Sequence, residues 1–239
     1  MRVAVLVPGF IKSYAHLEQV FSLFQNNDLF EFYFFGCVFD YIIPPNINKE
    51  KIDYIPTVPV NKDLLATKFT RIQYVDNSTY KPYDADGYDN RIISQWINLK
   101  QCFDMAEQYS VENNITFDLV VRCRTDLFLK KHIVMSWLQE SFRNKKIIFG
   151  QKGMILNDQF YVGPFDPMKR IMGLRDKYYE YLALPEMIQK SKNRTGILDR
   201  NRYLRFENES EVLLWHHIHI VLQQSEYCKK QKFWEIKRA

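Results

Sequence analysis

Thirteen residues constrain this chain more than any other stretch: FDLVVRCRTDLFL, positions 117–129. The run is as apolar as a buried strand, yet Arg122, Arg124 and Asp126 fall on alternate positions within it. Side chains alternate across a strand, so Leu119, Val121, Cys123 and Thr125 point one way while Val120, Arg122, Arg124 and Asp126 point the other. An isolated buried charge costs several kcal/mol even after relaxation, so the charged side must either pair internally or open on a cleft. Two readings follow from the pattern. One is an Arg–Asp ion-pair network that closes the end of a sheet. The other is a site for a diphosphate and its metal, with Asp126 as an oxygen ligand and an arginine on the phosphates.

The flanking sequence supplies the rest of such a sheet. VAVLV at 3–7 is a continuous apolar run of strand length followed by the turn pair Pro8-Gly9. Ser13 is a plausible N-cap for a helix that places Leu17, Val20, Phe21 and Phe24 on one side. Aromatic-rich FYFFGCVF at 32–39 and IQYV at 72–75 read as further strands. The prolines at 44, 45, 56 and 59 predict an irregular loop over 44–69. Ile92, Ile93, Trp96, Leu99 and Phe103 predict an amphipathic helix over 90–109, leading into the charged strand. Strands at 146–149 and 159–162 follow, then helices at 166–182 and 210–223, the last capped by Asn208 or Ser210. Alternating strands and helices predict an α/β fold, with a mainly parallel mixed sheet flanked by helices. Ligands in such sheets collect at the carboxyl ends of the strands, where Asp126 lies.

Composition narrows the function. At 239 residues and 46% hydrophobic content the chain can bury a substantial core, and it is read as one domain over 1–239, with a nucleotide-binding half at 1–110 and a metal and acceptor half at 111–239. No apolar run nears the roughly 20 residues that cross a bilayer. The N-terminal run lacks the features of a signal peptide, so a cytoplasmic location is expected. Cys37, Cys102, Cys123 and Cys228 have neither zinc nor disulfide-framework spacing and are expected as reduced thiols. A net charge of +5 spread over dispersed basic residues disfavours a nucleic-acid partner and suits a small anionic ligand.

The charged strand resembles the one ending in the D-x-D-type motif of GT-A-fold glycosyltransferases, in particular polysaccharide-type members in which the motif reads R-x-R-x-D. Three more stretches agree in order: VLVPGFIKSY with the opening strand and turn, where Lys12 stands at a frequent arginine; NDQFYVGPFDPM at 157–168 with an N-D-x-F-x-x-G segment; and ESEVLLWHHI at 209–218 with an E-x-x-L-x-x-H helix. SQWINLKQC at 94–102 is also similar. The resemblance implies a GT-A-like, Rossmann-like domain. It also implies a nucleotide-sugar donor, bound by Pro8, Gly9 and Lys12 with Arg122 and Arg124, and a glycan or other hydroxyl-bearing acceptor. A divalent cation, Mn2+ or Mg2+, would sit near Asp126 and His217. Asp158 would take the proton from the attacking hydroxyl. Arg124 stands where the first Asp of D-x-D belongs; it removes a carboxylate and supplies a cation, which puts metal dependence in question.

Bland readings accompany these residues. Asn157-Asp158 is also a turn-forming pair, His217 also reads as a hydrogen-bonded core histidine, and Glu211 complements a helix dipole. DADGYDN at 84–90 contains a literal D-x-D but lacks a preceding apolar strand, and the calcium-loop alignment fails at both key carboxylates. It reads as a polar loop before the long helix, with Arg91 and Gln95 as donor contacts. Two function classes remain: a glycosyltransferase, and a non-catalytic nucleotide-sugar or glycan-binding module of the same fold in a polysaccharide-assembly complex. A nucleotidyltransferase is disfavoured, because no glycine-rich loop follows the first strand.

Overall fold

The computed structural model describes residues 1–42, 58–76, 90–152, 155–182, 209–231 and 235–236. Eleven strands are seen among them: β1 (Arg2–Gly9), β2 (Glu31–Phe39), β3 (Tyr41–Ile42), β4 (Val58–Pro59), β5 (Arg71–Val75), β6 (Leu119–Cys123), β7 (Leu127–Phe128), β8 (Ile147–Lys152), β9 (Ile155–Pro164), β10 (Tyr227–Gln231) and β11 (Glu235–Ile236). The helices are α1 (Tyr14–Leu23), α2 (Lys62–Ala66), α3 (Asn90–Glu112), α4 (Lys131–Asn144), α5 (Phe165–Met172), α6 (Leu174–Leu182) and α7 (Glu209–Val221).

Seven strands form one sheet in the order β10-β8-β9-β6-β1-β2-β5. Strand β1 is parallel to β2 and β6, β2 to β5, and β8 to β10. Strand β9 alone is antiparallel to both its neighbours, β6 and β8. The expected mixed, mainly parallel sheet flanked by helices is therefore present. Its central strands come from both halves of the chain.

The alternation in the charged strand sorts the core into two layers. Val3, Val5, Val7, Leu119, Val121 and Cys123 face the α1 and α4 side, against Leu17, Val20, Val134 and Leu138. Ala4, Leu6 and Val120 face the other side, against α3 through Trp96, Leu99 and Phe103 and together with Met168, Ile171 and Leu213. Each such large apolar side chain contributes roughly 1.5–3 kcal/mol when fully buried. Helix α1 begins where its cap predicts: the Ser13 side chain accepts from the His16 amide at 3.2 Å.

Three details differ from the sequence reading. Strand β1 runs through Pro8 and Gly9, which pair in register with Cys37 and Val38, so the chain turns only after Gly9, whose φ of 94° favours glycine. Part of the proline-rich stretch is ordered as β4 and α2, the latter capped by Asn61. The helix expected over 166–182 is two helices divided at Gly173, where an added Cβ would lie 3.1 Å from the Arg170 carbonyl oxygen. The expected cap Asn208 and the DADGYD loop lie outside the described residues.

Candidate functional site

The site grows from the ends of β1 and β6. After Gly9, Phe10 stacks on Phe39 with ring centroids 4.1 Å apart, and its carbonyl accepts from the Thr125 hydroxyl at 2.6 Å. The Arg124 amide donates to the Gln159 carbonyl at 3.3 Å, extending the β6–β9 ladder past Cys123. These ties bring Lys12, Arg124 and Asp126 together at the carboxyl edge of the sheet. Because β9 runs against β6, its beginning, including Asp158, lies at the same edge.

Asp126 is 1% exposed. Arg124 grips it with both faces of its fork, Nε to Oδ1 at 2.9 Å and Nη2 to Oδ2 at 2.8 Å, and Lys12 Nζ lies 2.7 Å from Oδ2. Burial pushes this carboxyl up, but Arg124 and Lys12 outweigh it and hold the pKa down at about 2. The carboxylate is therefore charged at neutral pH, and the triad carries a formal +1. The two cations remain partly open, with Lys12 38% and Arg124 30% exposed in their side chains. An exposed pair of cations anchored on a buried carboxylate is suited to receiving an anion.

A divalent cation fits this arrangement poorly. Both oxygens of Asp126 already face cationic donors, and a metal approaching them would meet Lys12 and Arg124 first. Among the described residues no group of three or more His, Cys, Asp or Glu side chains is placed to hold a metal. His217, expected beside it, is buried with both ring nitrogens engaged, Nδ1 with the Tyr181 hydroxyl at 2.9 Å and Nε2 with the Arg170 carbonyl at 3.0 Å. A carbonyl only accepts, so Nε2 carries the hydrogen and Nδ1 accepts from the tyrosine. Burial draws the His217 pKa down against the raising effect of the Arg170 carbonyl. Gly173 leaves room for this ring, whose Nε2 would be 3.8 Å from a Cβ there.

A second cluster lies on the α3 side of the same edge. Asp158, 3% exposed, accepts at Oδ2 from the Gln95 amide. Arg122 Nη2 lies 4.0 Å from the same oxygen, an ion pair without a hydrogen bond. Arg122 is 0% exposed, and none of its three side-chain nitrogens has a hydrogen-bond partner. Opposite it in register on β9 is Tyr161, whose ring centroid is 5.8 Å from the guanidinium carbon and whose hydroxyl is also unmatched. Burial, then the Asp158 charge, push the Tyr161 hydroxyl pKa up, and Arg122 opposes them.

The structure thus gathers seven of the sequence-derived residues at one edge: Gly9, Lys12, Arg124 and Asp126 in one cluster and its turn, and Gln95, Arg122 and Asp158 in another. Pro8 is a strand residue one position before that turn. The Arg91 side chain lies outside the described residues. Arg122 sits inside the layer beneath α3, whereas Arg124 faces outward. Tyr161 and Thr125 escaped the sequence reading. The register of the antiparallel pair, which sets Tyr161 opposite Arg122, is the signal that finds the first. Thr125 gave none, since its bond is to a main-chain carbonyl.

No protein-family model matches the chain, and no curated protein matches it. Among solved structures, similarity is found to a protein described as a nucleotide-diphospho-sugar transferase from Desulfovibrio desulfuricans G20, at 8% identity and a TM-score of 0.45, covering 96% of this chain and 79% of that one. The glycosyltransferase GlyE of Streptococcus pneumoniae TIGR4 is similar at 12% identity and a TM-score of 0.35 over 95% of this chain, which spans 44% of the GlyE chain. Mouse xyloside xylosyltransferase 1 in its apo form is similar at 8% identity and a TM-score of 0.39, over 96% of this chain and 85% of that one. At such identities and scores the chemistry has to be read from this chain's own side chains.

Proposed function

We propose that the chain is a glycosyltransferase that moves a sugar from a nucleotide-sugar donor to a hydroxyl of a glycan or other acceptor. The observation that carries this reading is the Lys12–Asp126–Arg124 triad at the carboxyl ends of the central parallel strands. Its carboxylate is sealed and its two cations face outward, so its surplus positive charge is available to a diphosphate. In sugar transfer the bond from the anomeric carbon to the diphosphate oxygen breaks while one to the acceptor oxygen forms, and charge develops on the departing phosphate. Fixed cations aimed at that oxygen stabilise the transition state more than the ground state. Asp158 is a buried carboxylate at the same edge, where it accepts from the Gln95 amide. It takes the proton of the attacking hydroxyl once the acceptor displaces the Gln95 amide.

No step runs through a metal, because the donor set does not suit one. The bidentate hold of Arg124 on Asp126 also suits a second reading, a module that binds nucleotide sugars without turning them over. A thermal-shift screen of nucleotide sugars, followed by a nucleoside-diphosphate release assay with the stabilising donor, separates the two, because a ligand that binds only the native state raises the melting temperature. Release that falls at least about a hundredfold in Asp158→Asn, with donor binding retained, is the outcome expected of general-base loss. A donor that stabilises the protein and is never cleaved, across a panel of acceptors, assigns the chain to the binding module.

A further inference from the structure

Surface cations are matched differently on the two faces of the sheet. On the α3 side every described lysine and arginine side chain of α3, α5 and α6 has a carboxylate partner, as Lys100 has Asp104 and Lys177 has Glu180. On the opposite face, α4 and its ends carry Lys130, Lys131, Arg143, Lys145 and Lys146, and none of these forms an ion pair among the described residues. The one acid of that segment, Glu140, is taken by Lys230 at 2.9 Å. Lys130 and Lys131 also stand at the amino end of α4, whose first turn holds no acid and whose cap makes no side-chain hydrogen bond. The helix dipole favours acids at that end and opposes cations. The chain therefore gathers like charges against a local cost and supplies no countercharge for them.

One flank of α4 indicates the partner. Residues 131, 135 and 142 share a helix face, and Lys145 Nζ lies 4.1 Å from the centre of the Phe142 ring. The flank thus runs from a cation through Met135 and Phe142 to a second cation, with the two apolar side chains half-buried and Lys131 and Lys145 exposed. Its ends are about 20 Å apart, since the helix has 14 residues at about 1.5 Å each. That exceeds the screening distance of about 8–10 Å in physiological salt, so the two ends act on separate anions and no single small ligand satisfies both. A surface of anionic headgroups presents charge over that whole distance, and its acyl boundary accepts the apolar side chains between the lysines. We propose that this flank of α4 docks the protein on an anionic lipid surface, with Lys131 and Lys145 on headgroups and Met135 and Phe142 between them. Helix α4 begins just after β7, which continues from Asp126, so the amino end of the docked helix lies near the candidate site. The inference does not depend on the glycosyltransferase reading.

Co-sedimentation with vesicles tests this, comparing phosphatidylcholine mixed with phosphatidylglycerol against phosphatidylcholine alone, at low and at high salt. At low salt the protein is expected to bind the anionic vesicles at least about tenfold tighter than the neutral ones, and at high salt to lose that preference. A lysine at such a surface is worth about fivefold in affinity, so Lys131→Gln/Lys145→Gln should weaken binding about twentyfold. Lys100→Gln/Lys177→Gln removes two paired cations from the other face and should change it about twofold or less. Circular dichroism checks the fold of each variant; should the first pair fail to fold, Lys145→Gln alone carries the test, with a loss of about fivefold. Equal binding to the two kinds of vesicle, binding to neither, or equal losses in the two variant pairs overturns the inference. So does binding to immobilised heparin that Lys131→Gln/Lys145→Gln abolishes in a protein that ignores the vesicles, a result that gives the face to a soluble polyanion. None of these outcomes bears on the reading of the sugar site.

Discussion

Asp126 and Asp158 lie at the same sheet edge and are almost equally buried, at 1% and 3% exposure, yet they are held in opposite ways. Asp126 has a bidentate arginine and a lysine within hydrogen-bond reach. Asp158 shares one oxygen between a neutral amide and a guanidinium 4.0 Å away. Burial alone therefore does not fix how a carboxylate is held: Asp126 sits in the fork of Arg124 beside Lys12, whereas Asp158 accepts from the Gln95 amide. On the proposed reading the first anchors cations for a ligand while the second serves the acceptor. The arginines differ too, since Arg124 forks onto a carboxylate while none of the Arg122 side-chain nitrogens has a hydrogen-bond partner.

The comparison can be broken by mutation, and the largest effect is expected at Asp126. In Asp126→Asn two cations face a neutral amide, and breaking a buried pair from one side costs about 3–5 kcal/mol; urea unfolding should show a loss of that order. A loss well under 1 kcal/mol would mean that the triad does not hold the edge. The pH dependence sharpens the point. Its folded pKa of about 2 lies below the ordinary carboxylate value of 3.8, so its contribution is complete above about pH 4 and is lost as pH falls through about 2. The shift corresponds to roughly 2 kcal/mol of stability, which the Asp126→Asn variant should not lose on acidification.

The Asp158 cluster should respond less, and differently. Arg122→Met alone removes the buried guanidinium that lies 4.0 Å from Asp158 and should destabilise by about 1–2 kcal/mol. Adding Asp158→Asn should restore most of this, because replacing a loosely matched buried pair by neutral groups is often neutral or stabilising. Additive losses in that double-mutant cycle would show that the two residues do not interact. The smallest effect is expected at His217. Its folded pKa lies below that of the unfolded chain, so the stability it contributes is complete above about pH 6.5 and is lost as pH falls through the folded value. Replacement by Gln should flatten the stability profile in that window, as read by urea unfolding across it.

The alternation in FDLVVRCRTDLFL carries most of the fold. It assigns Val121 and Cys123 to one layer and Val120 and Arg122 to the other, as found. Apolar strand runs and the Ser13 cap were equally legible, because local propensity and tertiary packing agree there. Helix α4 was not read, since it opens on Lys131 and His132 with a Lys130 cap that makes no side-chain hydrogen bond. The break at Gly173 was hidden because the apolar period continues across it into α6. At the site the residue types were legible and their pairing was not: which arginine grips Asp126 depends on the turn at 124–125, and the fate of Arg122 depends on the register with Tyr161.

The most direct test is calorimetric titration of a nucleoside diphosphate, UDP or its GDP, CDP and ADP counterparts, into the protein with EDTA and again with manganese. The account predicts that at least one binds in EDTA, that its affinity weakens as salt rises, and that a Lys12→Met/Arg124→Met double variant loses it at least about a hundredfold. Binding that requires manganese, or that survives in the double variant, would contradict the claim that this pair of cations holds the phosphates.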